Sequence, residues 1–233
     1  MKTATQLLLT GLLMIGFTNF STAQMGMGMR PPSIAGVFNP VVGSGASYNI
    51  VSKNGRDTAL DIAVVDKESG GYWIEMTMSM SQNPNGGAQM SGMPMGGPNY
   101  MKELVVRQGD DLVVQKVIMQ MQGRPPMDVS SAPRAMQSQE SKADIRTHAQ
   151  KIGTESITTP AGTFSCEHWR DTKSGDDYWL SDKVTPFQLV KMSGPNTNTV
   201  VLVKVITDAK THITGTPVSM QEMMQQRMGK PNQ

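Results

Sequence analysis

Alternation of apolar and polar residues along this chain predicts strands. The clearest run spans residues 71–80, where every second residue is apolar and the residues between are Trp73 or polar side chains. Successive side chains of a strand point to opposite faces, so one face of this strand is apolar and carries three methionines. The apolar positions are Tyr72, Ile74, Met76, Met78 and Met80.

A group of consecutive short strands follows later in the chain. The turn Pro160-Ala161-Gly162 separates the first two, since proline presets one backbone angle of a turn and glycine tolerates the position that closes it. This succession is typical of a β-meander. The predicted strands are residues 152–159, 163–170, 178–181 and 187–192.

The remaining strands predict an antiparallel sheet with helices only at its margins. Asn54-Gly55 is a strong hairpin signal between two strands, 46–52 and 58–65. The chain shows no alternation of strands with helices, which indicates an all-β fold with minor helices. Further strands are predicted at 101–107, 112–121 and 199–207.

Two further features complete this prediction. The strand 112–121 is apolar on both faces, so both faces must be covered. Ser219 and Glu222 have the spacing of a capping box, which predicts a short C-terminal helix over 219–228.

The N-terminal residues predict export. Lys2 precedes an apolar run over residues 7–17, and the small residues Ser21-Thr22-Ala23 precede Gln24, a pattern typical of a cleavable signal peptide over 1–23. The run is shorter than the roughly 20 apolar residues that a membrane-spanning helix needs, and no second such run follows. We therefore expect a periplasmic or secreted protein without a transmembrane segment after signal removal.

The predicted organisation of the exported chain is a single domain. A flexible segment, rich in Gly, Met and Pro, precedes one antiparallel β domain, within which two mobile loops are expected. A tail with the short helix follows. The predicted ranges are 24–35 for the flexible segment, 36–210 for the domain, 82–99 and 123–140 for the loops, and 211–233 for the tail.

Residues 158–170 (TTPAGTFSCEHWR) and 178–192 (YWLSDKVTPFQLVKM) make the chain similar to exported bacterial proteins of uncharacterised families. Their sheets resemble the periplasmic lipoprotein carriers of the Lol type. This resemblance implies a strongly curved antiparallel sheet, an unclosed β-barrel with an apolar concave side. It implies no catalytic residue.

Charge and composition argue against nucleic acid and against several enzyme classes. Lysine and arginine are scattered, and aromatic residues make up only 5% of the chain. No GxSxG, P-loop or HExxH motif occurs. The acidic pairs Asp110-Asp111 and Asp176-Asp177 lie beside glycines in predicted turns, where aspartate is favoured for backbone reasons. We therefore expect no enzymatic activity.

Methionine is the unusual component, with 21 residues. One interpretation is an adaptable apolar surface that binds a lipid, an acyl chain or another apolar molecule without a cofactor. The residues predicted to line it are Tyr72, Ile74, Met76, Met78, Met80, Met119 and Met121.

An alternative interpretation of the methionines is copper. Thioethers are soft ligands that favour Cu(I), and the closely spaced Met90, Met93 and Met95 in the predicted loop are the candidate ligands. A third possibility is a structural protein of the cell envelope with no small ligand.

Cys166 and His168 lie two residues apart on one predicted strand, and Cys166 is the single cysteine. A thiol and an imidazole on one face can form a nucleophile pair, but two ligands are too few for a zinc site. We expect a buried, inert thiol; a reactive thiol or an intermolecular disulfide is the alternative.

Overall fold

The structure is a computed structural model that describes residues 34–52, 57–80, 99–131, 141–219 and residue 222. These residues contain thirteen strands. The strands are β1 (Gly45–Val51), β2 (Asp57–Glu68), β3 (Gly71–Met80), β4 (Asn99–Gln108), β5 (Asp111–Gln120), β6 (Met127–Asp128), β7 (Ser141–Lys142), β8 (Ala149–Thr159), β9 (Gly162–Asp171), β10 (Asp177–Leu180), β11 (Leu189–Ser193), β12 (Thr199–Ile206) and β13 (Val218–Ser219).

All thirteen strands belong to one curved sheet that does not close into a barrel. Its order is β13-β6-β5-β4-β3-β2-β1-β12-β11-β10-β9-β8, and β7 pairs with β5. Two meanders, β1 to β6 and β8 to β12, therefore join along the β1–β12 pair. Neighbouring strands are antiparallel except β13 and β6, which are parallel. The predicted all-β class and the unclosed antiparallel sheet are confirmed.

The predicted meander is confirmed as β8 to β11. The hairpin signal Asn54-Gly55 lies outside the described residues, although β1 and β2 on either side of it are paired in register. The capping box is present: the Ser219 hydroxyl accepts the Glu222 N–H at 3.2 Å, and the Ser219 N–H donates to Glu222 Oε2 at 2.9 Å. The rest of the predicted C-terminal helix lies outside the described residues. A three-residue 3-10 helix, Ile145–Thr147, precedes β8.

The main hydrophobic core lies on one side of the sheet, which we call the inner face. At its centre Tyr48 on β1 lies opposite Leu202 on β12 and Leu60 on β2, and all three are at most 1% exposed. The Tyr48 hydroxyl donates to the Leu189 carbonyl oxygen at 3.1 Å. The polar end of this buried tyrosine is thus satisfied, and its ring contributes only apolar contacts.

An N-terminal segment, residues 34–39, covers one end of the inner face. Ile34, Val37 and Phe38 are buried in the main core. The Val37 N–H donates to the Phe187 carbonyl at 2.8 Å, and the Phe38 N–H donates to the Ala143 carbonyl at 2.7 Å. This N-terminal segment is thus held between the 3-10 helix region and the loop before β11.

Gly36 permits this close fit of the N-terminal segment. A Cβ atom built at Gly36 would lie 2.1 Å from the Phe187 carbonyl oxygen, closer than any non-bonded contact allows. The backbone of residues 34–39 therefore approaches the loop more closely than a residue with a side chain could.

A C-terminal strap, residues 209–219, crosses the opposite face, which we call the outer face. Ile213 on the strap is buried against three outer-face side chains. These are Trp73 on β3, Leu104 on β4 and Ile118 on β5. The strap thus covers the second apolar face that the sequence of β5 requires to be covered.

The buried carboxylate of Glu75 fixes the strap to the sheet. Its side chain is 2% exposed and accepts hydrogen bonds from the Thr211 hydroxyl at 2.5 Å and from the His212 N–H at 2.9 Å. Nδ1 of His212 lies 2.7 Å from the same carboxylate, and its ring stacks on Tyr100 at 4.9 Å. These partners satisfy an acidic group whose burial would otherwise be costly.

Replacement of Leu202 by alanine should lower the free energy of unfolding by about 2–5 kcal/mol, because it leaves a cavity at the centre of the core. Val203→Ala on the same strand is the matched control: Val203 is 38% exposed on the outer face, and its loss should cost less than about 1 kcal/mol. Urea unfolding followed by circular dichroism measures both values. Equal losses would contradict the assignment of the two faces.

Candidate functional site

Four methionines lie side by side across four neighbouring strands of the inner face. Each lies directly opposite the next in the register of the sheet. We call this set the methionine row; in order across β3, β4, β5 and β6 it consists of Met76, Met101, Met119 and Met127. Period-two spacing within single strands places methionines on one face, but only the pairing of β3 to β6 brings these four together.

Exposure changes along the methionine row. Met76 and Met101 are 9% and 5% exposed, and they belong to the main core. Met119 and Met127, nearer the sheet edge, are only partly buried against this core. The row therefore runs from a fully packed interior to an apolar surface that is partly open.

Most residues of the predicted apolar site lie on the inner face, but they do not form one continuous surface. Ile74 is buried in the main core, and Met78 is half-buried beside it. Met80 ends β3 opposite Thr58. Met121 is half-buried just beyond the end of β5.

Tyr72 lies at the closed end of the inner face. Its ring meets the Phe38 ring edge-on at 6.3 Å, and Phe38 in turn lies 5.6 Å from the Phe187 ring. The N-terminal segment thus occupies this end, and within the methionine row Met119 and Met127 are the partly exposed members.

Sequence reasoning missed Met101 and Met127 as members of this site. Met101 gives no clear apolar pattern on its own strand, because alternation places Glu103 on the same face, and the length of chain between β3 and β4 leaves the pairing of the two strands undetermined. Met127 belongs to a two-residue strand that gives no periodic signal. The candidate copper ligands Met90, Met93 and Met95 lie outside the described residues.

Cys166 has the surroundings of an inert thiol. It is fully buried, and Sγ lies 3.6 Å from the Phe164 carbonyl oxygen. Burial, assisted by the negative charge of Glu155, raises the pKa of the Cys166 thiol to about 11. The thiol is therefore protonated at neutral pH, and a protonated thiol is a poor nucleophile and metal ligand.

His168 is engaged with carboxylates. Nε2 lies 2.8 Å from Asp177 Oδ1, and Nδ1 lies 2.9 Å from Glu155 Oε1. The ring stacks on Trp179 at 4.6 Å, with Lys191 Nζ 4.8 Å from the centre of the indole ring. Both ring nitrogens have partners, so the expected proximity of Cys166 and His168 does not yield a nucleophile pair.

Asp111, Asp176 and Asp177 of the two acidic pairs have structural partners. Asp177 forms a two-pronged ion pair with Arg170, at 2.8 and 3.0 Å. The buried Asp176 accepts a hydrogen bond from the Thr197 hydroxyl at 2.9 Å, and Asp111 pairs with Lys142 at 2.6 Å. Within the parts of the chain that the structure describes, no three His, Cys, Asp or Glu side chains form a metal site.

A polar cleft of about 370 Å³ lies on the β9–β10 side of the sheet, away from the methionine row. Its walls are mostly polar side chains, and Arg146 in its wall is already paired with Asp144. Among the described residues it does not provide an apolar ligand site. The polar wall residues are Arg146, Thr154, Ser165, Glu167, Ser181, Asp182 and Gln188.

Comparison with known proteins gives only distant structural matches. No protein family and no curated protein matches the chain. A hypothetical protein from Chlamydia trachomatis is similar with 10% identity and a TM-score of 0.42, over 77% of this chain and 94% of that chain. A candidate exported protein with a YmcC-like fold from Bacteroides fragilis is similar with 12% identity and a TM-score of 0.33, over 74% and 99% of the two chains.

A candidate lipoprotein from Parabacteroides distasonis is similar with 17% identity and a TM-score of 0.31, over 74% of this chain and 100% of that chain. The resemblance to carriers of the Lol type is not confirmed by these matches. No helix within the described ranges is long and apolar enough to cross a membrane.

We expect Cys166 to react with a maleimide reagent only after the protein unfolds, because the native thiol is buried and protonated. Labelling is followed by mass spectrometry in buffer and in concentrated urea at neutral pH. A surface control is supplied by Val203→Cys, which should label rapidly in the native state. Equal labelling of the two cysteines in buffer would contradict the prediction.

Replacement of Asp177 by asparagine should make the free energy of unfolding less sensitive to acid. Hydrogen bonds from Arg170, and then from His168, hold the pKa of Asp177 below its usual value of 3.8. A carboxylate with a lowered pKa stabilises the fold above its unfolded pKa, and this contribution is lost as pH falls through the folded pKa.

The wild-type free energy of unfolding should therefore fall more steeply than that of Asp177→Asn below about pH 4. Urea unfolding at a series of pH values measures this difference. Asp61→Asn, at an exposed position of β2, controls for the loss of one negative charge. Parallel pH profiles for the wild type and Asp177→Asn would refute the role of this ion pair.

Proposed function

We propose that this protein is a non-enzymatic exported binding protein that holds an apolar ligand, such as an acyl chain, against the methionine row of the inner face. The observation that supports this proposal is the partly open apolar surface formed by Met119 and Met127 beside the buried Met76 and Met101. The predicted signal peptide is consistent with a carrier outside the cytoplasm.

The chemistry of the methionine row suits a flexible apolar ligand. Methionine is unbranched and has three rotatable side-chain bonds, so its thioether adapts to guests of irregular shape. An acyl chain contributes about 0.8 kcal/mol for each methylene group that it buries. Micromolar affinity, about 8.2 kcal/mol, therefore requires roughly ten buried methylenes, and the entropic cost of association adds to this requirement.

The position of the row within the sheet also favours access by a ligand. Met76 and Met101 lie near the ends of β3 and β4, where the chain leaves the sheet after Met80 and returns at Asn99. The other end of the inner face is closed by the N-terminal segment and its contact with Tyr72. Among the described residues, the N-terminal segment thus lies at the end of the inner face opposite the methionine row, where Met119 and Met127 are partly exposed.

The test uses the chain from Gln24 onward and a fluorescent long-chain fatty acid as the probe. Native mass spectrometry of protein from its own compartment identifies any ligand carried through purification. The variant Met119→Gln/Met127→Gln places two amides on the proposed binding surface at similar side-chain volume. Its affinity for the probe should fall at least about tenfold, the equivalent of 1.4 kcal/mol.

Val42→Gln/Val203→Gln is the matched control, because both valines are exposed and lie outside the methionine row. It should bind the probe as the wild type does, and circular dichroism should show the same fold for all three proteins. Absence of saturable binding to the wild type, or equal weakening in both variants, would overturn the proposed function. An empty chain in native mass spectra together with no probe binding would support a structural envelope protein instead.

A further inference from the structure

The methionine row brings together soft metal donors from separate strands. We propose that Met76, Met101 and Met119 form a thioether site for Cu(I), with Met127 available as a fourth donor. This site is distinct from the loop methionines that sequence spacing suggests, and it does not depend on the binding of an apolar ligand. The observation that carries it is the direct opposition of these residues on adjacent strands.

The sheet geometry allows the sulfur atoms to converge. Directly opposite residues of antiparallel strands have Cβ atoms about 4.5–5.5 Å apart, and Met101 has such a methionine neighbour on both sides. The flexible methionine side chain can turn its sulfur toward the neighbouring strand. Three thioethers can therefore meet above the central strand β4 without a change in backbone pairing.

The donor chemistry selects the metal. Thioether sulfur is a soft, neutral donor, which favours Cu(I) over harder ions such as Mg²⁺ or Ca²⁺. The low exposure of Met76 and Met101 keeps water away from the donors, while the partly buried Met119 and Met127 leave a route for entry. Because thioethers carry no proton to be displaced, binding at the row should not be coupled to ligand deprotonation, unlike binding at a thiolate or histidine site.

The experiment is an anaerobic Cu(I) titration of the chain from Gln24 onward against a chromophoric Cu(I) chelator. Met101→Leu/Met119→Leu removes two donors but keeps an apolar side chain of similar size, so the fold and any apolar binding are retained. Its Cu(I) affinity should fall roughly 100-fold or more, because two of three donors are lost. X-ray absorption of the wild-type complex should show coordination by sulfur alone.

Two controls locate the metal. Met192→Leu changes a buried methionine of β11 outside the row and should leave Cu(I) affinity unchanged. The triple variant Met90→Leu/Met93→Leu/Met95→Leu tests the loop as an alternative source of ligands and should also retain the affinity. The affinity of the wild type should stay constant between about pH 6 and about pH 8.

The site is refuted if the Met101→Leu/Met119→Leu variant binds Cu(I) as tightly as the wild type, or if the loop triple variant loses the metal. The same Leu double variant should still bind the fluorescent fatty acid. Failure of the fatty-acid test with intact Cu(I) binding would overturn the proposed function and leave the metal site standing. Intact binding of the fatty acid without Cu(I) binding would refute the metal site and leave the proposed function standing.

Discussion

The inner face of the sheet and a patch of its outer face over β3 to β5 are apolar, and the need to cover both governs the rest of the molecule. Irregular segments of the chain meet it. The N-terminal segment fills one end of the inner face, while the C-terminal strap covers the outer face through Ile213 and the hydrogen bonds to Glu75. Each segment carries backbone hydrogen bonds of its own: the Val37 and Phe38 N–H groups donate to loop carbonyls, and the His212 N–H donates to Glu75.

The same coverage leaves part of the inner face only partly buried. Phe38 and Phe187 pack at the end of the inner face next to Tyr72, so this end belongs to the folded core. These aromatic contacts of the N-terminal segment lie beside Tyr72 and not beside Met119 and Met127. The candidate site is therefore the part of the inner face that the segment 34–39 does not reach.

The longer strands were predictable because their signal is local, whereas the two-residue strands β6, β7 and β13 gave none. Period-two alternation located β3, and turn residues such as Pro160-Ala161-Gly162 divided β8 from β9. The contacts that make the candidate site are not local. Met76 meets Met101 only because β3 and β4 pair in one particular register, and a shift by one residue would turn the side chains of one strand to the opposite face.

The same limit applies to the polar groups. His212 reaches Glu75 across 137 residues of chain, and no spacing rule relates the two. Asp177 was predicted as a turn residue, yet it begins β10 and pairs with Arg170 and His168 on β9. Cys166 was correctly predicted to be buried, because the alternation of β9 places it on the same face as Phe164. Local pattern thus predicts which residues are buried, whereas their partners depend on the pairing of strands.

The strap imposes an order on folding. Its residues are synthesised after all the strands that it crosses, so the outer-face side chains Trp73 and Leu104 stay uncovered until the chain beyond β12 has been made. Because the strap covers strands that are synthesised before it, the chain cannot finish folding until its C-terminal part has been synthesised. Until then it presents an apolar sheet surface, which is the kind of intermediate that aggregates or recruits chaperones. Premature truncation after β12 would therefore leave the apolar outer-face patch of Trp73, Leu104 and Ile118 exposed to solvent.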